Sequence, residues 1–218
     1  MTIKACIFDL DGVIVDTAKY HFIAWKRLCN TLGFDITEAQ NEQLKGVSRQ
    51  KSLDILLEIG QIKTLSTNEK NDLATQKNQW YLEMVEQMTD DEILVGVVDF
   101  LNELKDHKIT IGLASASKNA KNILEKVNLI HFFDTITDGN DVAEAKPNPE
   151  IFIKTAQKLA ILPSQAIVFE DAQAGVEAAK NGGFKCVGIG TPDNLHQADA
   201  IMPSFEEFNF LKLKQLFI

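Results

Sequence analysis

Residues 6–17 read CIFDLDGVIVDT. The opening CIF is apolar, without the alternation of a half-exposed strand, and suits a strand buried on both faces. Two carboxylates, Asp9 and Asp11, follow two positions apart, with Gly12 behind them. Strands buried on both faces belong to parallel sheets covered by helices, and open parallel sheets bind ligands beyond the carboxyl ends of their strands. The two acids therefore mark an edge of the sheet where chemistry can collect.

Outward from this strand, about residues 3–8, the period changes. Ala18, Phe22, Trp25, Cys29 and Leu32 recur at three- and four-residue steps, which predicts a helix with Asp16 or Thr17 as N-cap and Gly33 as its stop. Further helices are predicted over 50–59, ended by Gly60, and from 67 to about 88, opened by Ser66 and Glu69 at capping-box spacing. No strand is expected between 15 and 92. From Ile93 onward, β-type runs at 109–115, 134–138, 165–171 and 185–190 alternate with helical patterns at 97–106, 118–127, 149–160 and 172–181. Such alternation implies an α/β fold: a Rossmann-like, doubly wound parallel sheet joined by right-handed crossovers. The expected organisation is a core of residues 1–14 and 93–218 carrying an inserted helical cap domain, residues 15–92.

Composition removes several classes of function. Over 218 residues, 22 basic and 31 acidic side chains give a net charge of −9, so the surface repels polyanions and no nucleic acid partner is expected. No apolar run approaches the ~18 residues of a membrane span, no signal-peptide pattern precedes the first strand, and no membrane association is expected. Cys6, Cys29 and Cys186 lie far apart in apolar stretches, as buried reduced thiols of a cytoplasmic protein would. A monomer is expected, since nothing in the sequence advertises a large exposed apolar surface.

Each strand end delivers polar chemistry. The first gives Asp9 and Asp11, the run LAS gives Ser115, and VFED gives Glu170 and Asp171; the stretch EAKPNPEIF sets Lys146 just before a helix whose first turn is marked by Pro149. Any one of these is ordinary strand-end or turn chemistry. Together, Asp9, Asp11, Glu170 and Asp171 would repel one another unless a cation neutralised them, and ligands that are all oxygen select a hard cation, Mg²⁺. Gly12 falls at the wrong position for a calcium loop of EF-hand type, and no Walker-type phosphate loop is present. With the charge of an incoming phosphate screened, the Asp9 carboxylate can attack phosphorus and form an aspartyl phosphate. Asp11 can then give a proton to the leaving oxygen and take one from the next acceptor, so it should hold its proton part of the time.

These residues resemble the four motifs of the haloacid dehalogenase superfamily: DLDGV, the strand-end serine of ASASKN, the lysine of AKPNPEIF and the acidic pair of EDAQAG, in that order over essentially the whole chain. The resemblance implies Asp9 as nucleophile and Asp11 as general acid/base. It also implies Ser115, Ala116 and Lys146 around the transferring phosphate, and Mg²⁺ on Asp9, Glu170, Asp171 and the Asp11 carbonyl. Ala172 departs from the pattern, since many members carry a serine there.

DTAKYHFIAW, LKGVSR and ASASKN further resemble the β-phosphoglucomutase branch of the superfamily. That resemblance implies interconversion of β-D-glucose 1-phosphate and D-glucose 6-phosphate through the bisphosphate, with small-molecule sugar phosphates as the partners. A mutase must grip two phosphates. Arg49, in a loop-like stretch, offers a planar fork for the distal one, and Ser117, Lys118 and Asn119 sit where a helix begins and free amides favour an anion. Lys45, Gly46, Val47 and Ser48 should shape the sugar side, Gly46 by letting the backbone come close. His21 is expected to couple sugar binding to Asp11 through Thr17 and Lys77, and Trp25 to pack the cap rather than carry the sugar. A sugar-phosphate phosphatase on the same scaffold is the alternative, and an idle sugar-phosphate sensor a third reading.

Overall fold

The computed structural model describes residues 2–192 and 195–217. Six strands form one sheet: β1 (Ala5–Phe8), β2 (Thr110–Ala114), β3 (Thr135–Thr137), β4 (Ala166–Glu170), β5 (Lys185–Ile189) and β6 (Ala200–Met202). Their order is β3-β2-β1-β4-β5-β6, and every neighbouring pair is parallel. β1 lies in the middle, with Ile7 in register with Gly112 on one side and Val168 on the other.

The sheet is covered on both faces because its strands are apolar on both. Cys6, Phe8, Ile111, Leu113, Ile167 and Phe169 pack with Phe100 and Leu104 of α5 (Val97–Asp106), Ile123 of α6 (Ala120–Lys126) and Leu213 of α9 (Phe210–Phe217). The rings of Phe8 and Phe169 stack at 4.7 Å in this layer. Ala5, Ile7, Ala166 and Val168 face the other way, against Phe152 of α7 (Glu150–Lys158) and Val176 and Ala179 of α8 (Gln173–Asn181). Alternate residues of each strand thus serve opposite layers, as the period of two requires.

Between β1 and α5 the chain builds α1 (Ala18–Thr31), α2 (Glu38–Glu42), α3 (Arg49–Ile59) and α4 (Thr67–Val85). Their apolar faces form a cluster around Trp25, Leu28, Leu53, Leu56 and Ala74. The two crossings between sheet and helices run side by side: Val15 bridges Ile93, and Asp16 N–H donates to the Glu92 carbonyl at 2.9 Å. The Glu92 carboxylate accepts from Tyr20 Oη and holds Lys19 Nζ, each at 2.5 Å, and so anchors the start of α1.

Some local expectations hold and others change. Thr17 occupies the N-cap position of α1, but its side chain makes no cap bond, and Asp16 is not the cap. Ser66 and Glu69 form the capping box expected of α4. Gly60 ends α3 with an ordinary φ of −75°, and Gln61 takes the left-handed turn at 55°. Arg49 is the first residue of α3 rather than part of a loop, because the Ser48 hydroxyl caps the helix by accepting from Lys51 N–H. Pro149 is the N-cap of α7, one residue ahead of its first turn. Helices α2 and α9 and strand β6 lie outside the predicted set.

Candidate active site

The carboxyl ends of β1, β2 and β4 and the segment before α7 meet at one edge. Asp9, one residue past β1, is buried, and its N–H donates to the Phe169 carbonyl at 3.0 Å, which keeps it in register with β4. Glu170 ends β4 fully buried, with Asp171 following it half-buried. Carboxylate oxygens of Asp9, Glu170 and Asp171 lie within 4.8 Å of one another. Two glycines make that packing possible. Gly12 sits at φ +78°, a left-handed turn that an L side chain rarely adopts, and a Cβ there would overlap the Asp171 carboxylate. A Cβ on Gly175 would overlap Glu170.

Lys146 is buried and donates from Nζ to Asp9 Oδ1 at 2.6 Å and to Glu170 Oε1. Burial alone pulls its pKa down, but the charges of Asp9 and Glu170 outweigh that and raise it. Glu170 and Asp171 are both pushed up, first by burial; Asp171 is pushed further by the neighbouring negative charges of Glu170 and Asp9. Such a cluster is a built site for a hard divalent cation: three oxygen donors from largely buried carboxylates, and a charge excess that one ammonium does not cancel.

Asp11 is not part of that cluster through its carboxylate. Its side chain turns toward the cap, where Thr17 Oγ1 donates to Oδ1, and His21 Nε2 lies 4.0 Å from the same oxygen. Burial, then the charge of Asp9, raises its pKa to about 6 despite the Thr17 bond. His21 Nδ1 pairs at 2.8 Å with the buried ammonium of Lys77, whose own pKa is lowered to about 7 by burial and by Arg49. Burial, with Lys77 and Arg49 nearby, holds His21 well below its usual range, so the imidazole is neutral and accepts from Lys77. Trp25 is largely buried in the cap, with Lys77 Nζ 4.5 Å from its ring centre, and it also lines the cavity between cap and core.

A cavity of about 430 Å³ joins this edge to the cap. Its lining includes Asp9, Asp11, Lys146 and Asp171 among the core motif residues, and Lys45, Gly46, Val47, Ser48 and Arg49 from the cap. Ala116, Ser117, Lys118 and Asn119, from the segment after β2, also line it. Ser115 lies beneath, fully buried, its hydroxyl accepting from Ser117 N–H at 3.1 Å. The amides after β2 are not all free, since Asn119 N–H likewise donates to Ser117 Oγ at 3.2 Å. Lys45 faces the acids as well as the cavity, with Nζ 4.0 Å from Asp171 Oδ2. Gly46, at φ +71°, lines the cavity and also brings the backbone of the cap close to Ala172. Ala172 caps α8 without a side-chain bond, and its N–H donates to Glu170 Oε2 at 3.1 Å.

Sequence reasoning missed Asn41, Leu44, Ser52 and Val142, which also line the cavity. Ser52 lies three residues after Arg49 on the same face of α3, a signal that was available. Asn41 rides on α2, which is five residues long and too short to show a period.

A parallel sheet ending in an acidic cluster with a lysine between two of its carboxylates defines the class. Residues 6–189 match the family described as haloacid dehalogenase-like hydrolase, and the chain belongs to it. Particular relatives narrow the likeness. A beta-phosphoglucomutase of Bacillus subtilis (strain 168) is 41% identical over 200 residues, covering 91% of this chain and 88% of the relative. A crystal structure of beta-phosphoglucomutase from Clostridium difficile matches with a TM-score of 0.95 at 41% identity, covering 99% of this chain and 97% of that one. A phosphorylated carbohydrates phosphatase of Thermotoga maritima is 31% identical over 201 residues, covering 91% and 90% of the two chains.

Proposed function

We propose that this protein interconverts β-D-glucose 1-phosphate and D-glucose 6-phosphate through a phospho-aspartyl enzyme and β-glucose 1,6-bisphosphate. The observation that carries the reading is a single cavity with the Asp9 carboxylate and Lys146 at its core edge and the Arg49 guanidinium in its cap wall. A phosphatase needs the first alone; a mutase needs both.

Asp9 attacks phosphorus and becomes the acyl phosphate, while Ser115, the Ala116 amide and Lys146 hold the phosphoryl oxygens. Asp11, with a pKa of about 6, gives its proton to the leaving sugar oxygen and takes one from the attacking hydroxyl. Asp9, Glu170, Asp171 and the Asp11 carbonyl would hold Mg²⁺, which screens charge between the nucleophile and the incoming dianion when bound. Arg49, Ser117, Lys118 and Asn119 hold the second phosphate, and the cap of residues 15–92 shuts water out so that the acyl phosphate meets the sugar first. His21, Thr17 and Lys77 tie the position of Asp11 to the cap. The site is complete within one chain, which supports a monomer. The three cysteines, free and buried, support a reducing cytoplasm.

The second reading, a sugar-phosphate phosphatase, is favoured by the 31% identity to the Thermotoga maritima phosphatase. Incubation with β-glucose 1-phosphate, Mg²⁺ and a trace of the bisphosphate separates the two. Glucose 6-phosphate as the main product is the expected result; free phosphate formed at an equal or greater rate establishes the phosphatase instead.

A further inference from the structure

The segment that faces the distal phosphate has most of its acceptors occupied. The Ser117 carbonyl accepts from Gly139 N–H and the Lys118 carbonyl from the Asn140 side-chain amide, each at 3.3 Å, while Ser117 Oγ accepts from Asn119 N–H at 3.2 Å. Donors are what the segment has left: the Ser117 hydroxyl proton, the Lys118 ammonium and the Asn119 side-chain amide. A phosphate dianion carries only acceptors and needs donors.

The Asn119 amide is the ambiguous member of that set. Its two ends are nearly the same shape, one a double donor and the other an acceptor, so an unheld asparagine can turn its carbonyl toward an anion and repel it. Here it is held, from the cap side. Asn119 Nδ2 donates to Asn78 Oδ1 at 3.0 Å, which fixes the amino end and leaves its second N–H to give. Asn119 lines the cavity and Asn78 is not among its lining residues. Asn78 also follows Lys77 on α4, so one turn of helix presents both the partner of His21 and the partner of Asn119.

We propose that Asn78 is a positioning residue for the distal phosphate: it orients the Asn119 amide donor-first toward the anion. The contact spans a cap helix and the segment after β2. The proposal rests on the distal-phosphate reading above.

The test is a double-mutant cycle on the Mg²⁺-loaded enzyme. Asn78→Ala should raise KM for β-glucose 1-phosphate about tenfold and change kcat less than about threefold, the cost of one misdirected hydrogen bond to an anion. Phosphorylation of the enzyme by acetyl phosphate, which has no second phosphate, should change by less than about twofold. In an Asn119→Ala background, Asn78→Ala should add nothing. A full tenfold effect in that background, or an equal loss with acetyl phosphate, overturns the proposal. If the wild type makes no glucose 6-phosphate, the function proposed above fails by itself, and NMR of the Asn119 side-chain amide decides the inference separately. Its resonance should move on saturation with glucose 6-phosphate in the wild type, fail to move in Asn78→Ala and recover in Asn78→Asp, which keeps an acceptor. No movement in the wild type overturns the positioning role.

Discussion

Lys146 Nζ lies 2.6 Å from Asp9 Oδ1, with both groups buried. That ammonium compensates buried carboxylates which would otherwise repel one another. Lys146→Met should therefore cost about 3 kcal/mol or more in chelator, because Asp9 and Glu170 are left buried without their partner. Added Mg²⁺ should recover part of the loss, as the same oxygens would bind it. Urea denaturation with and without Mg²⁺ measures both. A larger loss with Mg²⁺ than without would contradict the charge argument. Phosphorylation by acetyl phosphate with Mg²⁺ present should fall at least ~100-fold.

Thr17 uses its hydroxyl on Asp11 rather than on its own helix. A donor to a carboxylate favours the ionised form, so Thr17→Val should raise the Asp11 pKa above about 6. The limb of the pH–rate profile set by Asp11 should move toward alkaline pH, and kcat should fall roughly 10- to 100-fold as the carboxylate loses its orientation. An unshifted limb would mean that Asp11 is not the group being titrated.

Lys77 is a buried ammonium whose pKa falls from 10.5 to about 7. Below about pH 7 it is charged in both folded and unfolded chains, and the folded state bears the full cost of burying it. Between pH 7 and 10.5 the unfolded chain keeps a proton the folded one has lost, so stability rises with pH across that window. Lys77→Met should thus be more stable than the wild type by about 2 kcal/mol or more at pH 6, an advantage that fades toward pH 10. Mutase turnover should fall, since His21 loses its partner. Urea melts at the two pH values check the sign.

Gly60 and Gln61 should respond in opposite directions. At φ −75° Gly60 needs no special backbone freedom, but a Cβ there would overlap the Phe34 ring, so Gly60→Ala should cost about 1–3 kcal/mol by overpacking. Gln61 holds the left-handed φ of 55°, so Gln61→Gly should gain a few tenths to about 1 kcal/mol. Denaturant midpoints of the two variants, measured against wild type, decide this.

How far the sequence carries can be judged residue by residue. The run CIF, the short β-type runs after Ile93 and the capping box at Ser66 and Glu69 are local signals, and each predicts an element found close to its expected position. Short pieces escape this reasoning. α2 and β6 span five and three residues, less than the window in which periodicity emerges, although Thr37 and Gln40 do form a capping box at the start of α2. Gly60 was legible as a helix stop, but its reason, the ring of Phe34 26 positions earlier in the chain, was not.

By itself the sequence determined the class of chemistry, because strand ends in a parallel sheet converge wherever they fall in the chain, and Asp9, Ser115, Lys146, Glu170 and Asp171 all sit at or just beyond that edge. Only the tertiary structure decided how those groups are shared. It turned Asp11 away from the acidic cluster toward Thr17, set Lys146 between two carboxylates, and paired Asn119 with Asn78. Such pairings need side chains carried by separate elements to come within hydrogen-bond reach, as Lys146 and Asp9 do at 2.6 Å and Asn119 and Asn78 at 3.0 Å. Those distances follow from how helices pack on the sheet, which no local pattern of residues encodes.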